Sequence, residues 1–204
     1  MDTPRRHIEF LKSFPLRGPS QWTYRPVLEL WVDIGELEES PSNTIPGFVD
    51  RLCQWLPTLS EHRCSYGEPG GFVKRLEEGT WPAHILEHIT LELQNLAGRP
   101  GGYGRARETH ERGVYKVVVS APDEEFTRES LFAGRELVLA AMDGRPFDVP
   151  GTVQRLRELA ELRRLDEALS KGATLSPATY DGDTAQRARA AIRQRARVVL
   201  TNPD

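Results

Sequence analysis

The sequence predicts an α+β fold, with one mostly antiparallel sheet and helices packed on it. Three observations carry this reading. Residues 26–37, PVLELWVDIGEL, alternate apolar and polar side chains as a half-buried strand does. Residues 103–121, YGRARETHERGVYKVVVSA, read as two strands joined by the polar connection THERG. Residues 80–98 and 123–143 carry apolar side chains at helical spacing. Strands interspersed with helices place the helices against the sheet.

Residues 1–25 are rich in Pro, Arg and Ser and read as a surface extension. After the first strand, SPSN and IPG supply turn chemistry, and GFVDRLCQWL has helical spacing up to Pro57. EHRCSY, residues 61–66, is a short strand candidate. GEPGGFVKRLEEG is a glycine-rich turn leading into a short helix. The helix over 123–143 places Leu131, Gly134, Val138 and Met142 on one face. GRPFDVP ends it, and residues 151–170 form a further helix, charged on one side. A loop and a basic helix follow, carrying Arg187, Arg189, Arg193, Arg195 and Arg197 as a solvated face. The chain therefore divides into an extension (1–25), a main domain (26–165), and a loop with a basic helical tail (166–204).

A chain of 204 residues can bury a core without staples. A net charge of −3 argues against a nucleic-acid binder. No apolar run reaches membrane-span length, and the first residues lack the apolar core of a signal peptide. The expectation is a cytoplasmic protein with Cys53 and Cys64 reduced. No phosphate-binding loop G-x-x-x-x-G-K-[ST] is present, so an ATP-dependent ligase is not expected.

The segment TWPAHILEHITLELQNLAG holds the densest chemistry. On a helical wheel Ile85, Leu86, Ile89, Leu93, Leu96 and Ala97 form one face. His84, Glu87, His88, Leu91, Glu92 and Asn95 form the other. Thr80 is the expected N-cap, Pro82 fits the first turn, and Gly98 is a natural stop. Two histidines one turn apart can chelate one metal ion. A glutamate between them can take a proton from a metal-bound water. His84, Glu87 and His88 form the pattern H-x-x-E-H, the inverted zinc-hydrolase motif. The residues thus point to zinc at His84 and His88 with Glu87 as general base. A third ligand is expected from a separate element, with Glu136 first, then Glu108, then Glu92; His62, Cys64 and His110 are further candidates. Arg105 and Arg107 alternate along a strand, share one face, and suit paired grips on carboxylates.

The strings RPVLELWVDIGELEESPSNTIPGF through LELQNLAG, then GRARET, GVYKVVV and GRPFDV, resemble the N-terminal domain of cyanophycin synthetases. The resemblance covers roughly residues 16–165. It implies association with cyanophycin, a poly-aspartate carrying arginine on its side-chain carboxylates, or with a similar Asp/Arg polymer. It also implies, for some members, a metallohydrolase that cuts polymer into primers, with His84 and His88 as metal ligands and Glu87 as base. Arg105, Arg107 and Glu108, joined by Glu92, would line the polymer groove. The ATP-grasp and Mur-ligase-like domains of full synthetases have no counterpart in the sequence, so a separate synthetase is an implied partner. A homo-oligomer is compatible with all of this. The combined expectation is an HxxEH-type zinc hydrolase acting on cyanophycin amide bonds. The alternative is a non-catalytic module that binds the polymer or a synthetase.

Overall fold

The structure, a computed structural model, describes residues 7–170. The expected loop and basic tail beyond residue 170, with its arginine face, lie outside them. The chain divides into two units, Met1–Ala160 and Glu161–Asp204.

The first unit is built on one four-stranded antiparallel sheet. Its strands are β1 (Glu9–Leu16), β2 (Val27–Asp33), β3 (Gly104–Glu108) and β4 (Val114–Ser120), in the order β1-β2-β4-β3. β2 and β4 form the centre, and their inward side chains Leu28, Leu30, Val32, Val117 and Val119 are buried against the helices. The helices are α1 (Phe48–Trp55), α2 (Gly71–Glu78), α3 (Pro82–Leu96), α4 (Glu124–Asp143) and α5 (Val149–Ser170). α3 packs on β3, β4 and α4 and is the central helix of the unit. Gly134 of α4 admits the close approach, since a Cβ there would sit 3.0 Å from Thr90 Oγ1 of α3. α4 is capped as its sequence suggests, the Asp123 carboxylate accepting from the Phe126 N–H at 2.9 Å. No described helix is long and apolar enough to cross a membrane.

Two local expectations need correction. Part of the expected surface extension is strand β1, hydrogen-bonded along β2. Its alternation is broken by an irregularity between Phe10 and Lys12, and its Pro15 is tolerated because an edge strand has one unpaired side. EHRCSY is not a strand. It forms the end of one 3-10 turn (Pro57–Glu61) and the whole of another (Cys64–Tyr66), with Cys64 at φ 51°. The carbonyl of His62 accepts from the N–H of Phe72, which ties this loop to the start of α2 rather than to the sheet.

Candidate functional site

α3 begins as the sequence suggests in one respect and departs from it in another. Pro82 occupies the first turn, but the N-cap is Trp81 and not Thr80. The Thr80 N–H donates to Ser42 Oγ, and its hydroxyl bonds His84 Nδ1 at 2.8 Å. The wheel's division into a buried and a solvated face is also corrected, because α3 is covered nearly all round. Glu87, His88 and Glu92 are 6%, 7% and 2% exposed.

β3 covers one side of that supposedly polar face. A Cβ on Gly104 would lie 2.6 Å from Glu87 Oε1 and 2.7 Å from Leu91 Cδ1, so the strand crosses α3 at a distance only glycine permits. The other side is covered by α2 and the 3-10 loop. The Phe72 ring stacks on His88 with centroids 3.9 Å apart and meets His84 edge-on at 5.7 Å.

Under this cover the polar groups satisfy one another. His84 Nε2 lies 3.3 Å from Cys64 Sγ. His88 Nδ1 is 3.0 Å from His62 Nδ1, and His62 Nε2 is 2.8 Å from Glu92 Oε2. Thr58 Oγ1 donates to the other oxygen of Glu92. Burial pushes the His84 pKa down to about 4, with Arg75 adding to the effect. Burial lowers His88 further, helped by the neighbouring His84 and His62. Both rings are therefore neutral at pH 7 and keep lone pairs available. Burial alone would raise Glu92, but the hydrogen bonds from His62 and Thr58 outweigh it and hold the carboxyl low.

Cys64, His84 and His88 each present a donor atom, all within 4.8 Å of one another. A thiolate and two imidazoles form a donor set that zinc accepts. Glu136 does not join them. It lies on α4 with its side chain 54% exposed, paired with Arg135 at 3.0 Å, whereas Cys64, a further candidate for third ligand, lies beside the two histidines. Glu108 ends β3 in solvent, and His110 pairs with Glu111 at 3.6 Å while 83% exposed. Glu92, expected in a polymer groove, is sealed beside His62 and reaches no surface.

Glu87 points towards β3. Its Oε1 is 4.0 Å from His88 Nε2. Burial pushes its pKa up to about 8, opposed by Arg105 and by a hydrogen bond from the Ala106 backbone. A carboxyl that keeps its proton at neutral pH is poorly suited to accept another.

The outer face of the sheet, away from the helices, carries a different constellation. The strand registers place Lys12, Trp31, Lys116 and Arg107 opposite one another in one row across all four strands. Lys12 Nζ and Lys116 Nζ lie over the Trp31 ring at 3.6 and 4.6 Å from its centroid. Trp22, from the connection between β1 and β2, lies on the same face with the Arg107 guanidinium 5.1 Å from its ring. The indole N–H groups of Trp22 and Trp31 donate to the two oxygens of Glu29 at 2.6 and 3.0 Å. A pocket of about 320 Å³ opens among Trp22, Trp31, Arg107, Glu108, His110 and Lys116. Arg105 and Arg107 do share this exposed face, two residues apart on β3. The sequence reading passed over Trp22, Glu29, Trp31 and Lys116. The available signal was Trp31 itself, a large aromatic at an outward position between Glu29 and Asp33.

Comparison with known proteins adds two kinds of finding. A family model described as the cyanophycin synthase-like N-terminal domain matches residues 29–143. A cyanophycin synthetase of Crocosphaera subtropica is 39% identical over 174 residues, 84% of this chain and 19% of that protein. Those of Synechocystis sp. and Geminocystis herdmanii are 40% and 42% identical, each over 76% of this chain and 18% of their own length. The chain thus spans about a fifth of the length of the curated relatives it matches. These relatives are synthetases, so the matches point to a role connected with synthesis. They overturn the expectation of an HxxEH-type zinc metallohydrolase or metalloprotease-like enzyme cutting cyanophycin into primers.

Proposed function

Because the chain belongs to the cyanophycin synthase-like N-terminal domain family, we propose that it serves cyanophycin synthesis as a domain that holds the polymer. One observation carries the reading to a place on the molecule. The outer sheet face exposes Arg105 and Arg107, and Glu108 at the end of β3 borders the same pocket as Trp22 and Trp31, while Glu87, His88 and Glu92 of α3 are buried. A polymer bearing both carboxylate and guanidinium groups is matched by a surface of both charges with flat aromatic rings. Arg105, Arg107 and Glu108 are its contacts. Glu92, being enclosed, supports the fold.

Zinc at Cys64, His84 and His88 is the second part of the proposal. The neutral imidazoles and the thiol converge from α3 and the loop before α2. A metal there would tie that loop to the central helix and stiffen the unit. His62 and Glu92 would steady His88 from behind, as outer partners of metal-bound histidines do.

The test is direct. Purified protein is mixed with cyanophycin and the bound fraction measured at two salt concentrations, alongside elemental analysis. We expect capture that weakens as salt rises, and about one zinc per chain that is lost in His84→Ala and Cys64→Ser. Failure of the wild type to retain polymer at low salt defeats the holding role. Equal metal in wild type and variants removes the zinc site.

A further inference from the structure

We infer that the pocket on the outer sheet face is a subsite for one carboxylate-bearing peptide arm, with Arg107 and Lys116 gripping the carboxylate against the indoles of Trp22 and Trp31. The inference rests on the polymer-holding reading and assigns chemistry to individual groups within it.

The charge balance of the pocket points to an anion. Lys12 and Lys116 both crowd the Trp31 ring, and Arg107 stands over Trp22. The carboxylate in their midst is Glu29, whose oxygens are already taken by two indole N–H groups, with Lys116 Nζ at 3.7 Å. Arg107 has no carboxylate partner among the described residues, and its side chain is exposed. Glu29 and Glu108 thus face the three cations Lys12, Lys116 and Arg107, and the surplus is one positive charge.

The shape points to a peptide arm rather than a small inorganic ion. About 320 Å³ exceeds the space a single carboxylate fills. Two indoles provide a flat apolar wall suited to the methylene groups and amide plane behind such a carboxylate. Glu108 lines the same pocket and can meet a cationic group carried further along the arm. The pocket is also held firmly. Glu29 pins both indoles, so little side-chain freedom remains to be lost on binding.

The experiment uses the dipeptide β-aspartyl-arginine and the same compound with its arginine carboxyl capped as the amide. Binding of each to the full chain is measured by calorimetry. The acid should bind about tenfold or more tightly than the amide, because a charge-assisted contact is lost. Arg107→Ala and Lys116→Ala should each weaken the acid about tenfold and leave the amide nearly unchanged, while Arg107→Lys recovers part of the loss. Melting temperatures of the variants, unchanged from the wild type, exclude misfolding as the cause. Equal binding of acid and amide overturns the inference, as does no binding of the acid at millimolar concentration. Whole polymer is run beside the dipeptides to separate the two readings. If polymer is captured equally by wild type and by the Arg107→Ala/Lys116→Ala double variant, this subsite is wrong and the holding role stands. If the wild type captures no polymer, the holding role falls, and the acid-amide comparison alone decides the pocket.

Discussion

The two polar regions of this molecule lie on opposite sides of one sheet and differ in what their partners are. Around α3, histidine, glutamate, cysteine and threonine are withdrawn from water and bonded to each other. On the outer face, exposed Lys12 and Arg107 and half-buried Lys116, Trp22 and Trp31 meet solvent with positive charge to spare. Residue types alone make the first region look like the place where an external molecule is handled. The proposed function gives that role to the second. A polar group whose partners are internal contributes to stability, and it is costly to disturb. A polar group whose partners are missing is available to a ligand. The contrast separates two properties, stability and binding, that substitutions should affect independently.

The largest expected effect on the comparison comes from the enclosed side. Phe72 is fully buried and stacks on His88. Phe72→Ala should lower stability by about 3–5 kcal/mol through the lost burial and the cavity left behind. Chemical denaturation measures it. A loss below about 1 kcal/mol would mean that the cover over the histidines is loose, and the contrast between the regions would collapse.

The next effect is smaller and depends on pH. Glu87 has its pKa raised from 4.5 to about 8 by burial. Its favourable contribution is therefore complete below pH 4.5, where folded and unfolded chains both carry the proton, and is lost as pH rises through about 8. Glu87→Gln carries no such titration. The stability of the variant relative to wild type should rise from pH 5 to pH 8, by an amount on the order of a few kcal/mol. Denaturation curves at the two pH values check this. A difference, variant minus wild type, that is flat or falls with pH would show that Glu87 is already ionised within the fold.

The smallest expected effect is on the exposed side. Arg107→Ala should change stability by no more than about 0.5 kcal/mol, since the side chain is exposed and lacks an ion-pair partner. The same melting experiment applied to this variant sharpens the comparison. A large loss would place Arg107 among the structural groups and remove it from the cations the outer face offers a ligand.

Much of the fold was legible in the sequence, because the central elements follow their own periodicity. β2 and β4 alternate or run apolar, and α4 has its cap, its stripe and its terminal Gly144. β1 escaped because an irregularity and Pro15 disrupt the pattern that reveals strands. The site was legible by composition and less so by location. His84 and His88 could be paired from their spacing, and Cys64 was within view as one candidate among several. What no spacing could supply was the cover. Phe72 and Gly104 come from elements before and after α3, and they turn a face that looks solvated on a wheel into interior. The outer row was hidden for a related reason. Lys12, Trp31, Lys116 and Arg107 are far apart in the chain and meet only through strand register.

That register has a consequence for the quality control of the chain. Side chains alternate between the faces of a sheet, so a slip of one residue in any ladder sends its members of the row to the opposite side. Each of the four strands contributes one member, and the row is whole only when all three ladders are correctly paired. Molecules with a mispaired edge strand would still be compact and would still bury much of their apolar surface. They would lack the aligned cations and the indole between them. A ligand that needs the full row therefore selects correctly assembled chains from a mixed population and, by mass action, pulls slipped ones back towards them.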